Sequence, residues 1–232
     1  MNDLLNFIKS EYRFDGNVKF LFDRCSVSDL VSKIIELTKT RNSYLIEILT
    51  FTRDVYIGSD LNDAERESYL KELIKQNFFE ELNKLLYSKN LNIASYSIYT
   101  FGKLSHKENS NYLESAYERK FKRNPILAYR CLNELEWLES KKVDNYIAEL
   151  AANEDPISKL ILLYLFEISS NHTEISKILD DDEFQNFINS NSTELEIIFK
   201  KLMDFENYFF QETLDSQVED FEKFTKDYFL KT

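Results

Sequence analysis

Glycine and proline are scarce in this chain, which has only three glycines and two prolines in 232 residues. Both residue types end helices and shape turns, so their scarcity predicts a protein built almost wholly of helices. Gly16, Gly58 and Gly102 are spaced by 42 and 44 residues, so no two of them can share a loop. This spacing excludes the glycine-rich phosphate loop and the glycine-flanked serine of hydrolases.

Cysteine and histidine are also few. Cys25 and Cys131 form no C-x-x-C pair, and we expect both to be buried thiols in a reducing compartment. His106 and His172 lie in polar stretches between predicted helices, and neither has a second histidine at metal-binding spacing. A Cys–His catalytic pair could arise only through folding. The sequence therefore predicts no metal, no cofactor and no catalytic residue.

Long apolar segments are missing as well. The longest uninterrupted apolar run, residues 160–166, has seven residues, whereas a membrane span requires about 20. The N-terminal segment MNDLLNFIKSEYR carries a charge at its third position and only a short apolar patch, unlike a signal peptide. We expect a cytoplasmic protein that does not enter a membrane.

The composition that remains is that of a folded, helical protein. Hydrophobic residues make up 43% and charged residues 30% of the chain, a balance typical of globular domains. Apolar residues recur at helical spacing along most of its length. We predict helices at residues 2–12, 27–40, 42–56, 62–76, 78–88, 91–104, 109–123, 126–139, 142–152, 157–169, 173–189, 193–213 and 216–230, with VKFLF at 18–22 either a short helix or extended.

A repeat is visible in the middle of the chain. Asn124-Pro125 and Asp155-Pro156 each precede an apolar helix, with an N-cap residue followed by a first-turn proline. Related apolar helices occur near residues 91–104 and 193–205, with shorter polar helices between them. This alternation at a period of about 30 residues is typical of helical repeat proteins.

These features resemble HEAT and armadillo repeats over about half of the chain. The resemblance implies an α-solenoid of antiparallel helix pairs, about 12 to 13 helices in all, with a concave surface that binds another macromolecule. Because no Pro/Gly/Ser-rich linker divides the chain, we predict one helical-repeat domain over residues 1–232. It would comprise irregular helices at 1–90, HEAT-like repeats at 91–205 and acidic capping helices at 206–232.

Negative charge is concentrated at the C-terminal end. Residues 1–122 carry 18 acidic and 18 basic side chains, whereas residues 180–232 carry 14 acidic side chains and five lysines, a net charge of −9. Such a segment repels a phosphate backbone and attracts a basic protein surface. We predict that it binds a basic partner protein through acidic residues of two runs: Asp180, Asp181, Asp182, Glu183, Glu219, Asp220 and Glu222. The four-residue acidic run lacks the spacing and glycine of a calcium loop.

Three functions are consistent with these features. The first is a non-enzymatic protein-interaction module, in its specific form an immunity or antitoxin protein that neutralises a basic bacterial toxin. The second is implied by the resemblance, because some HEAT-like proteins are alkylpurine DNA glycosylases that hold DNA in a basic groove. The third is a scaffold subunit of a larger assembly. For the second, the chain offers one basic cluster: Arg119, Lys120, Lys122, Arg123, Arg130, Lys141 and Lys142.

Overall fold

The computed structural model describes most of the first two thirds of the chain and a short part of the remainder. The described residues are 2–10, 18–40, 43–58, 60–104, 106, 108–122, 124–153, 158–159, 161–162, 165, 182–190 and 193.

Every regular element in this described part is helical, so the all-α prediction is confirmed there. The α-helices are α1 Asn2–Ser10, α2 Lys19–Arg24, α3 Val27–Lys39, α4 Leu45–Ile57, α5 Asp63–Lys75, α6 Phe78–Leu86, α7 Leu91–Lys103, α8 Asn109–Ala116, α9 Pro125–Trp137, α10 Val143–Ala152 and α11 Asp182–Ser190. The segment at 18–22, for which the sequence allows either a short helix or an extended chain, is helical from Lys19 onward and forms part of α2.

Several of these helices begin at N-cap residues whose side chains accept hydrogen bonds from the first turn. The Ser26 hydroxyl accepts a hydrogen bond from the backbone N–H of Asp29 at 3.1 Å and caps α3. Asn62 and Glu65 form a reciprocal capping box at α5. Asn124 accepts from the N–H of Leu127 at 3.1 Å, with proline as the first residue of α9, as predicted. The matching start at residues 155–156 lies outside the described residues.

The chain divides into two compact units, residues 1–113 and 114–232. In the first unit α4 and α6 both pack against α7, and α3 packs against α4, α5 and α6. Aromatic rings fill much of this core: Phe51, Tyr69, Phe78 and Phe101 are fully buried. The buried Tyr69 hydroxyl donates to the carbonyl of Thr52 at 3.2 Å, so this core tyrosine keeps a polar partner.

The second unit begins with an irregular helical turn. Residues Tyr117–Phe121 form a π-helix, in which the N–H of Lys122 donates to the carbonyl of Tyr117, five residues earlier, at 3.0 Å. Tyr117 and Phe121 are buried, and this turn packs against α9, which also contacts α10. The predicted boundaries at residues 90 and 205 are untested and stay predictions.

Candidate functional site

A small pocket lies on the first unit, lined by described residues. Its volume is about 150 Å³, and its walls come from the end of α5, the α5–α6 turn, α6, the chain that leads into α8 and α8 itself. Aromatic rings line it together with carboxylates: Phe79, Glu80, His106, Glu108 and Tyr112.

The wall from α6 depends on a tight turn at Asn77. This residue has φ 60° and ψ 35°, in the left-handed region, where asparagine is among the few non-glycine residues found routinely. The turn lets α6 begin at once after α5. Phe79 then points into the protein, with 7% exposure, while Glu80 stays exposed at the pocket.

Three ring contacts build the aromatic wall. Phe79 stacks on Phe101 with 5.9 Å between ring centroids, and Phe101 stacks on Tyr112 at 5.3 Å. The imidazole of His106 lies 5.6 Å from the Phe79 ring in a tilted arrangement. Because each ring is held by its neighbour, the wall is fixed before any ligand arrives.

Hydrogen bonds hold the segment that carries His106. The side chain of Asn109, which is 1% exposed, donates a hydrogen bond to the carbonyl of Phe101 at 2.8 Å. The backbone N–H of Asn109 donates to the carbonyl of His106, also at 2.8 Å. His106 Nδ1 accepts from the N–H of Glu108 at 3.0 Å. A neutral His106 ring with this contact carries its proton on Nε2.

A tyrosine–glutamate pair lies at the rim of the pocket. The Tyr112 hydroxyl donates to Glu80 Oε1 at 2.6 Å. This hydrogen bond, together with burial and the Glu80 charge, raises the pKa of Tyr112 to about 12. Tyr112 therefore remains a neutral donor at physiological pH, and Glu80 and Glu108 supply the pocket with negative charge. Such a site favours a cationic ligand.

The residues predicted to bind a partner lie mostly outside the described residues. This is true of Asp180, Asp181, Glu219, Asp220 and Glu222. Asp182 is exposed at the start of α11, and Glu183 follows it in the same helix. Their role in binding stays a prediction.

Part of the basic cluster is paired with carboxylates or buried in the described residues. Lys122 pairs with Glu149, and Lys142 lies 3.0 Å from Glu114 and 3.3 Å from Glu118. Arg130 is only 4% exposed. Of the remaining members, Arg119, Lys120 and Lys141 are exposed, and Arg123 is outside the described residues. Half of the six described charges that DNA would require are therefore paired with carboxylates or buried.

The predicted burial of Cys131 is confirmed, whereas Cys25 is half-buried. Burial raises the pKa of the Cys131 thiol well above its usual range, which makes it a poor nucleophile. Within the residues that the structure describes, no group of three or more His, Cys, Asp or Glu side chains is placed to hold a metal ion.

The pocket cannot be predicted from the sequence, because its parts are far apart in the chain. Tyr112 and Glu80 are 32 residues apart. Asn77 has a local sequence pattern, because an asparagine between two predicted helices indicates a turn. Nothing in the sequence links it to Glu108 or Tyr112.

Comparison with known protein families, with curated proteins and with solved structures finds no match to this chain. Among the helices that the structure describes, none combines the length and apolar character that a membrane crossing requires.

Proposed function

We propose that this protein is a non-enzymatic interaction module that binds a basic protein. The observation that carries the proposal is the uneven distribution of charge, with a net charge of −9 on residues 180–232 against zero on residues 1–122. An acidic segment of this kind attracts a basic surface over a distance of about 10 Å and speeds its association. The specific form of the proposal is an immunity-type protein that neutralises a basic toxin.

The proposal includes the arrangement of helices in the middle of the chain. We propose that residues 91–205 form HEAT-like helix pairs stacked as a solenoid, whose open surface the partner contacts. The repeated helix starts with asparagine or aspartate followed by proline support this arrangement, as does the cap that Asn124 provides to α9.

The test measures binding of the full chain to the products of the genes that flank its own, because a neutralising protein and its target are expected to be encoded together. We expect one basic product to bind, with association about tenfold slower when salt is raised or when Asp180, Asp181 and Asp182 are all changed to lysine. The readout is the association rate from interferometry.

A matched variant separates local from total charge. Asp23→Lys, Glu36→Lys and Asp144→Lys together change the net charge by the same amount at three scattered, exposed positions. We expect this variant to bind nearly as fast as the unchanged protein. Binding that responds neither to salt nor to reversal of the 180–182 run would refute the proposal.

A further inference from the structure

We infer that the pocket beside Asn77 binds an arginine side chain of the partner. The inference rests on the proposed function for the origin of that arginine in a basic protein, whereas the ligand class follows from the pocket itself. The juxtaposition that carries it is two exposed carboxylates, Glu80 and Glu108, against the rings of Phe79, His106 and Tyr112.

The pocket has room for a guanidinium group. Its volume of about 150 Å³ matches that of cavities that admit a benzene molecule, which is larger than a guanidinium. Ile74 is 40% exposed at the rim and offers an apolar surface for the methylene groups of the same side chain.

In the described part of the chain, no lysine or arginine forms an ion pair with Glu80 or Glu108. Glu80 Oε1 accepts the Tyr112 hydroxyl, which fixes the carboxylate at the rim. A cation that enters therefore meets an oriented carboxylate that pairs with no lysine or arginine among the described residues.

The aromatic wall favours arginine over lysine. A planar guanidinium stacks on rings and bonds a carboxylate through two N–H groups, whereas an ammonium is a compact, strongly hydrated charge. The first unit contains this combination within itself. The Arg53 guanidinium lies 4.9 Å from the centroid of the Tyr99 ring, and its Nε donates to Asp54 at 2.6 Å.

The experiment titrates the full chain with N-acetyl-arginine amide and follows the imidazole NMR signals. The chain has two histidines, so a His172→Gln variant assigns the signal of His106. We expect saturable shifts of the His106 signal with millimolar affinity. N-acetyl-citrulline amide has the same shape without the charge and should cause no saturable shift. N-acetyl-lysine amide should bind several-fold more weakly than the arginine compound.

Glu80→Gln keeps the size of the side chain and removes its charge, and should weaken arginine binding about threefold to fivefold. Glu81→Gln is the matched control, because Glu81 is the next residue of α6 and contacts Lys84 rather than lining the pocket. Tyr112→Phe keeps the ring, and should leave the His106 shifts saturable.

Equal affinity for arginine and citrulline, equal or tighter binding of lysine, or an unchanged affinity in Glu80→Gln would overturn the inference. The proposed function would still stand after such a result if the protein encoded by a flanking gene bound the chain and if that binding depended on salt and on the acidic residues 180–182. Loss of that protein–protein dependence, with saturable arginine binding retained, would refute the proposed function and leave the pocket as an arginine site.

Discussion

The two units each contain a tyrosine that donates a hydrogen bond to a glutamate, but the surroundings of the two glutamates differ. In the first unit Tyr112 donates to Glu80 at 2.6 Å beside a pocket. In the second unit Tyr146 donates to Glu118 at 2.5 Å, and Lys142 lies 3.3 Å from the same carboxylate. The second unit thus supplies its own cation to the acidic pair, whereas no lysine or arginine in the described part of the first unit pairs with Glu80.

The pKa values in the second unit show how its groups affect one another. Hydrogen bonding from Tyr146 lowers the pKa of Glu118, with help from the Lys142 charge, and hydrogen bonding to Glu114 and Glu118 raises the pKa of Lys142. These groups stabilise one another in their charged forms. A carboxylate already satisfied in this way has little to gain from a ligand, so the Tyr146–Glu118 pair serves the structure of the second unit.

The units also differ in how they use left-handed backbone. Asn77 in the first unit and Glu139 in the second have φ values of 60° and 55°. Glu139 ends α9 in a Schellman motif, in which the N–H of Ser140 donates to the carbonyl of Leu135 at 2.9 Å. Asparagine tolerates this region, whereas a glutamate there is strained.

The largest effect we predict follows from this contrast. Glu139→Gly should stabilise the protein against urea by about 1 kcal/mol, because glycine adopts the left-handed conformation without a Cβ clash. Asn77→Gly should change the free energy of unfolding by only a few tenths of a kcal/mol. Glu139→Ala removes the same charge but keeps the Cβ, so it should give no gain. If alanine stabilised as much as glycine, charge rather than backbone strain would be the cause.

A smaller effect tests the internal cation. Lys142→Met should destabilise the protein by about 0.5 kcal/mol at low salt, because it leaves Glu114 and Glu118 without the ammonium between them. The Lys142 side chain is 50% exposed, so solvent already screens much of this interaction. The loss should shrink as salt is added. Lys141→Met is the matched control at the neighbouring exposed position and should be close to neutral in the same urea experiment. Equal losses in the two variants would show that Lys142 does not stabilise the glutamates.

The smallest effect concerns the pH dependence of the first pair. A tyrosine whose pKa is raised in the folded state stabilises the protein fully below its unfolded value, about 10. That stability is lost as the pH rises towards about 12. NMR titration of ring-labelled tyrosine should therefore show Tyr112 ionising near pH 12, with the signal assigned by Tyr112→Phe.

Glu80→Gln removes both the charge and the strongest acceptor, so the pKa of Tyr112 should fall towards its ordinary value in that variant. An unchanged Tyr112 titration would mean that the hydrogen bond to Glu80 is absent in solution.

Local patterns in the sequence were enough to predict the helices and some of their ends. The Asn124-Pro125 start, the burial of Cys131 and the helical character of residues 91–104 all follow from spacing and capping within a few residues. They could be predicted because the interactions that determine them are local.

The sites could not be predicted in the same way, since they depend on partners distant in sequence. The positive stretch around Lys122 looked like a single basic patch, yet Glu149 reaches Lys122 from 27 residues away. The pocket similarly brings Glu80 and Tyr112 together only through the packing of α6 and the chain after α7.

The π-helix at Tyr117–Phe121 has a consequence for how this chain tolerates changes in length. Its hydrogen bond spans five residues instead of four, so the turn contains one residue more than an α-helical turn. Deleting one of its exposed residues, such as Arg119, would convert it to an ordinary turn while keeping the register of both flanking segments. A deletion that would rotate a regular helix by about 100° can therefore be absorbed here.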